Sequence, residues 1–432
     1  MRLNVLDFGA VGDGVTDDTR AVRAAMEAAG RAPGSTVLFP GGHTVRTGYV
    51  RVYGHTEVHL EAGSLWKAAD RFDAFLPEGG RFTYAQSDAP SYVNCDYTGG
   101  PRLKFIHALD ASDIAFTGTG AIDGNEAIFH GETVHDHIEG LFYPRAPLLY
   151  MEHVEGFTLR DVTLQNSAFW TVHLVGCRGV TIDNVTIQNS LSMANCDGID
   201  PDACTDVNIT NCRITAADDC IVLKTTQAAQ KYGPCRRIRV SGCELTTRSA
   251  AFKIGSESEG LFTDVDVGHC VIRSANRGVS LQLRDKGSVE NARFHDIQME
   301  TRLLDPIGWW GKAEPVAITA NRRYPETPVG RVKHISFENI TSEAEGGIVI
   351  VGDPAARNIE DVRFTDCTFR LRRQTDYPVG ALDLRPGCGD TLQRRPFAHA
   401  TVENAENVRW ERVTFAQDQA MAALLEAAPP RA

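Results

Sequence analysis

The 432-residue chain is predicted to fold as an all-β, right-handed parallel β-helix, a solenoid with a short N-terminal capping helix and long groove-side loops. Two observations predict it. The first is a phrase, apolar-x-apolar-x-x-apolar-x-apolar, that returns from Phe157 to Leu164, Val180 to Ile187, Val207 to Ile214, Ile238 to Leu245 and Val265 to Ile272. Weaker copies start near Ala292, Ile335, Val362 and Val408. The first five starts lie 23 to 31 residues apart, the size of one coil of a stacked repeat. The second is that each phrase precedes a further short alternating strand. These are Trp170–Leu174, Gly198–Asp200, Cys220–Lys224, Phe252–Gly255, Gly278–Leu283, Pro315–Thr319 and Gly347–Val351. An antiparallel sandwich would need two-residue hairpin turns, and almost none occur.

The elements follow in order. Residues 17–29 read as a helix with Thr16 at the N-cap and Val22, Met26 and Ala29 on one face. Such a helix would cover the open end of the stack, an edge that would otherwise template aggregation. One β-helix domain is expected over residues 1–432, with 1–35 as cap region and 420–432 as a C-terminal tail. Longer spacings at about 121–147, 300–315 and 374–405 mark where loops leave the coils.

The composition is 42% hydrophobic and 23% charged, without a long polar tract. A formal charge of −12 argues against nucleic acid or an anionic membrane as the main partner. No run of about 18 apolar residues occurs, so no membrane span is expected. No leader-like segment follows Met1, which favours a cytoplasmic location, or export with a signal already removed. The eleven cysteines form no CxxC pair. Cys177, Cys212, Cys243, Cys270 and Cys367 recur at similar places in the repeat, as buried free thiols would.

The chemistry concentrates in two motifs. Asp197 and Asp219 each stand two residues before an isoleucine that opens a strand, in consecutive repeat units, and Asp218 lies beside them. Stacked coils would bring the carboxylates of Asp197 and Asp219 to roughly 5 Å. Two charges there repel by about 3 kcal/mol at an effective dielectric of 20. Such a cluster retains one proton readily, as an acid/base site for glycosidic bonds requires. Parity places Lys224, Lys253, Ser280, Gln282 and Arg284 on the same outward face. The cations among them would bind an acidic sugar or balance the aspartates.

Asn195 and Asp200 flank Asp197 as substrate-contact candidates, Asp200 reading equally as part of a turn ladder. His173, one coil before Asp200, is either a sugar-hydroxyl contact or a structural histidine. Trp309 and Trp310 stand between glycines in a long insertion, where a flat aromatic face stacks on a pyranose ring or anchors the loop. His135 and His137 point opposite ways in an extended segment and have no evident third ligand, so neither a metal nor another cofactor is expected.

At this point the residues resemble a known group. The stretch from Asn4 to Thr19 is similar to the N-terminal capping motif of pectate-lyase-type β-helix proteins. Phe116 to Asn125, Asn166 to His173, Asn195 to Asp200 and Asp218 to Cys220 together resemble glycoside hydrolase family 28, the polygalacturonases, over most of the chain. The resemblance implies an inverting hydrolase with Asp218 as general acid and Asp197 and Asp219 sharing the attacking water as base. It also shows two departures. That family carries a histidine between glycines before the next strand, where this chain runs from Arg248 to Ser256 with no histidine. It carries two basic residues gripping the uronate carboxylate where this chain has Ser280 and Gln282.

The expected function is therefore an inverting glycosidase on a pectic or related saccharide, exo-acting or acting on oligosaccharides, because insertions would wall the groove. A lyase or epimerase is the second reading, kept open by Lys253 and Arg284. A non-catalytic carbohydrate-binding β-helix is the third.

Overall fold

The computed structural model describes residues 1–77, 85–86, 101–134, 137–138, 142–304 and 309–426. His135 and the first part of the tryptophan loop lie outside the described residues. Contacts divide the chain into two compact units, residues 1–218 with 227–232, and residues 219–226 with 233–432.

Each unit is built of right-handed parallel β-helix coils. In the first, Ser35–Phe39 pairs with Thr56–Leu60, then Ile106–Thr117, Pro147–Arg160, Arg178–Asp183 and Thr205–Thr210, all in parallel. In the second, Ile221–Thr225 is followed by Ala250–Ser258, Arg277–Leu283, Glu314–Ala320 and Ile348–Gly352. These are the alternating strands anticipated from sequence.

The coil contains one strand more than that reading held. The repeated phrase is two strands around a bend, as in Arg178–Asp183 and Thr186–Gln188. The bend falls at the fifth position of the phrase, where Asp161, Asn184 and Asn211 adopt φ near +60° in the first unit. Gly242, His269, Asp296, Asn339 and Asp366 do so in the second. Only glycine and short polar side chains reach left-handed backbone cheaply, which explains the Asn and Asp at these corners. They also bond between coils: Asn184 Nδ2 donates to Asp161 at 2.6 Å, and Asn211 Nδ2 to Asp183 at 2.9 Å.

The apolar positions of the phrase fill the interior. In the second unit Phe294, Phe337, Phe364 and Trp410 hold one register and stack at ring-centroid spacings of 5.0, 4.7 and 4.4 Å. Offset aromatic stacking adds to the burial of each ring. The described cysteines are free, and all but Cys388 are buried. Cys177 does not share a place with Cys212, Cys243, Cys270 and Cys367, which follow the left-handed residue. It stacks instead with Cys204, one before the paired residues Arg178 and Thr205.

The helix forms at Thr19–Arg31, two residues later than expected, with Asp18 rather than Thr16 at its N-cap. Thr16 is occupied by Asp13, which accepts its N–H at 2.7 Å and its hydroxyl at 2.9 Å. Asp18 makes no side-chain cap bond. Its carboxylate ties down the loop instead, accepting from Val11 N at 2.7 Å and Gly12 N at 3.0 Å. The predicted face holds: Ala21, Val22, Ala25, Met26 and Ala29 are buried. No described helix is long and apolar enough to cross a membrane.

Candidate active site

Asp197 and Asp218 belong to the first unit. Asp197 stands two residues before the strand Ile199–Asp202, and its carbonyl accepts from Thr171 N at 2.9 Å and Thr171 Oγ1 at 2.7 Å on the previous coil. The neighbouring Cys196 is held from both sides. Asn189 Nδ2 donates to its carbonyl at 3.0 Å, and its Sγ accepts from Ala217 N at 3.4 Å. Asn195 adopts φ 56°, which turns its N–H onto Asp218 Oδ2 at 3.1 Å. Asp197 is buried and Asp218 half-buried, so the chain presents one sheltered and one accessible carboxyl on a rigid backbone.

Sequence reading missed Arg145. It lies between the rings of Tyr143 and Phe169 and donates to Ala168 O at 2.7 Å, Ala194 O at 2.6 Å and Asn195 Oδ1 at 2.8 Å. A planar guanidinium with several fixed donors suits this bracing of the Asn195 turn. Fifty residues separate it from Asn195, and no local pattern marks it.

Glu126 was missed as well. Burial, then the nearby Asp123 carboxylate, push it up to about 7, and Arg145 only partly opposes them. The sign follows from linkage. Between pH 4.5 and 7 the unfolded chain has lost this proton and the folded chain keeps it, so folding stability falls as pH rises through that window. The contribution is roughly 3 kcal/mol. Glu126→Gln is expected to abolish this fall, read as a flatter dependence of the urea midpoint on pH between 5 and 7.

His173 is 4% exposed, edge-on to Trp170 at 4.7 Å and to Tyr150 at 5.1 Å, with Nε2 3.6 Å from Asp202. Asp200, its partner in the strand register, is fully buried. Both therefore face protein.

The second unit opens with Asp219. Its Oδ1 accepts from Ser249 Oγ at 2.8 Å and Ala250 N at 3.1 Å, and its Oδ2 from Lys253 Nζ at 2.7 Å. Carboxylate and ammonium are both buried. The chain thus places a lysine on this aspartate from the strand where the family resemblance leads one to look for histidine. Lys224 is matched by Glu257 at 3.1 Å. Burial would raise the Glu257 carboxyl, but Lys224, then Arg323 and Lys253, hold it down to about 2. Arg323 also forks onto Asp285 with two bonds of 2.8 Å. Neither Glu257 nor Arg323 was anticipated.

Gln282 and Arg284 do sit on the predicted outward face, and the third insertion covers them. Gln282 Nε2 donates to Arg385 O at 2.6 Å. Arg284 is 0% exposed; its guanidinium donates to the carbonyls of Leu283, Thr319, Leu384 and Pro386 and to Thr319 Oγ1. That leaves Arg284 no surface to offer a sugar. Trp309 is buried, and its carbonyl accepts from Arg385. Trp310 is half-buried, with the Arg385 guanidinium 5.9 Å from its ring centroid. Packing against this loop, rather than an open aromatic platform, is what Trp309 displays.

Residues 85–371 match the protein family described as Glycosyl hydrolases family 28, well over half of the chain. The chain belongs to that family. As a family 28 member it is a glycoside hydrolase. Residues 2–58 also match the description Rhamnogalacturonase A/epimerase, pectate lyase-like. A probable polygalacturonase of Vitis vinifera is 28% identical over 324 residues, covering 71% of this chain and 61% of the grapevine protein. An exopolygalacturonase of Zea mays is 25% identical over 351 residues, covering 78% of this chain and 76% of its own length. The crystal structure of a hyperthermoactive exopolygalacturonase from Thermotoga maritima superimposes with a TM-score of 0.74 at 20% identity, over 96% of this chain and 92% of that one. That likeness speaks for the fold.

Proposed function

We propose that this family 28 hydrolase inverts the anomeric centre of a pectic or related saccharide, and that it works at chain ends or on short oligosaccharides rather than as a standard polygalacturonase. Asp218 serves as general acid, protonating the glycosidic oxygen as the bond lengthens. Asp197 and Asp219 serve as base, taking a proton from the water that attacks the anomeric carbon on the opposite face. An acid on one face and a base on the other are what an oxocarbenium-like transition state requires, and here two of the three carboxyl groups share the base role.

One observation carries the departure from a standard polygalacturonase: the outward cations of the second unit are engaged by protein. Lys253 is on Asp219, Lys224 on Glu257, and Arg284 on backbone carbonyls. The positions where the family carries two basic residues hold Ser280 and Gln282, both buried, with Gln282 bonded to the insertion at Arg385. A uronate carboxylate gripped as in that family would find neither cation. Relatives named as a probable polygalacturonase and an exopolygalacturonase support a pectic backbone as the substrate class.

The test combines product analysis with stereochemistry. Polygalacturonate, pectic oligomers and neutral oligosaccharides are incubated with the enzyme, and proton NMR follows the newly formed anomer before it mutarotates. The inverted anomer and short products released from chain ends are expected. Retained configuration, random internal cleavage, or an ultraviolet-absorbing unsaturated product would each refute the proposal, the last in favour of a lyase.

A further inference from the structure

We infer that His269, His295 and Asp296 form a binding site for a divalent transition-metal ion, of the zinc class, on the outer surface of the second unit. The three offer ligand atoms that all lie within 4.8 Å of one another. Their convergence follows from the repeat. His269 and Asp296 hold the left-handed corner position on successive coils, so one stacks on the other, and His295 is the residue just before Asp296.

Both inner ligands are oriented by further groups. Asp296 Oδ1 accepts from Asn339 Nδ2 at 2.6 Å, the next residue of the corner column, which aims Oδ2 at the imidazoles. His295 Nε2 lies 3.3 Å from Asp266 Oδ1, so a proton on Nε2 donates to that carboxylate. The other ring nitrogen, Nδ1, lies 2.7 Å from Asp296 Oδ2, a contact that a ring proton or a bound cation completes. A carboxylate behind a histidine is the arrangement that orients imidazole ligands toward metal ions and raises their basicity.

His269 makes a proton an incomplete answer. Its Nδ1 is 3.7 Å from the same Asp296 oxygen, and its ring stands edge-on to His295 at 5.1 Å. Donors 2.0–2.2 Å from a tetrahedral centre are about 3.4 Å apart, near the His269–Asp296 spacing, while the 2.7 Å His295–Asp296 contact would open by about 0.7 Å to admit the ion; two imidazoles with one carboxylate suit zinc. Gly268 makes room for the group, since a Cβ there would lie 2.2 Å from the His295 ring. The contrast with other corners is informative. His55, His153 and His334 also hold corner positions and pair with Asp113, Asp110 and Asp361 at 2.7–2.9 Å. No second imidazole joins those pairs among the described residues.

The full-length protein is stripped with EDTA and titrated with ZnCl2 by calorimetry, and its thermal midpoint is followed with and without zinc. One equivalent is expected to bind and to raise the midpoint, as any ligand of the folded state does. His269→Asn and Asp296→Asn keep a side chain that tolerates left-handed backbone. Each is expected to weaken zinc at least roughly 10-fold, and Asp266→Asn to weaken it by about 10- to 100-fold through His295. His334→Asn is expected to bind as the parent does. Absence of a midpoint shift in the parent, or equal zinc binding by the parent and both ligand variants, would overturn the inference.

Discussion

Asp218→Asn is expected to lower kcat on an unactivated saccharide by roughly a thousand-fold, the usual scale for removing a positioned general acid. Thermal stability should stay near that of the parent. The asparagine oxygen can still accept from Asn195 N, the bond now 3.1 Å long, and the side chain is only half-buried. The discriminating measurement compares leaving groups. An aryl glycoside whose phenolate departs without protonation should lose little in the variant, while a sugar leaving group, which needs the proton, should lose most. An equal loss on both substrates would remove Asp218 from the acid role. An unchanged kcat on both would remove it from the chemistry.

The legible part of this protein was whatever the coil repeats. The parity that puts Lys224, Lys253, Ser280, Gln282 and Arg284 outward requires Ile221, Leu223, Phe252, Ile254, Leu281 and Leu283 to point inward, and each of these is at most 1% exposed. Their alternation is a local consequence of strand geometry, so it is visible within five residues. The corners carry a local signal too, since left-handed backbone favours Asn, Asp and Gly, although the bend inside the phrase was not read from it. What parity could not show is what lies above the outward positions. Arg284 was correctly put on the outer face, yet Leu384 and Pro386 sit on it, a hundred residues away in an insertion with no period. Lys253 and Asp219 were likewise assigned to one face, but whether a lysine stem reaches a given carboxylate depends on side-chain path rather than register. The helix start moved because Asp18 had a loop to hold. The column of His269, Asp296 and Asn339 was invisible for a related reason: stacking, not sequence distance, makes them neighbours.

Lys253→Met is expected to cost about 3–5 kcal/mol of folding free energy, the scale found when one member of a buried ion pair is removed. Methionine keeps the length of the stem, so packing changes little and the effect is electrostatic. The lysine side chain is 10% and the aspartate side chain 2% exposed, leaving water little opportunity to solvate the aspartate left behind. Ser249 Oγ and Ala250 N would remain as its donors, both neutral. Catalysis should suffer with stability if Asp219 is a base, because the group that holds its charge in place is gone. A double-mutant cycle separates the pair from general damage. Asp219→Asn and Lys253→Met should each destabilise alone, and together should recover much of the loss, with a coupling energy of about 2–3 kcal/mol in urea unfolding. An exposed pair would give about 0–1 kcal/mol instead. A coupling in that lower range would mean that the lysine does not hold the aspartate, and the placement of Asp219 as a preorganised base would lose its support.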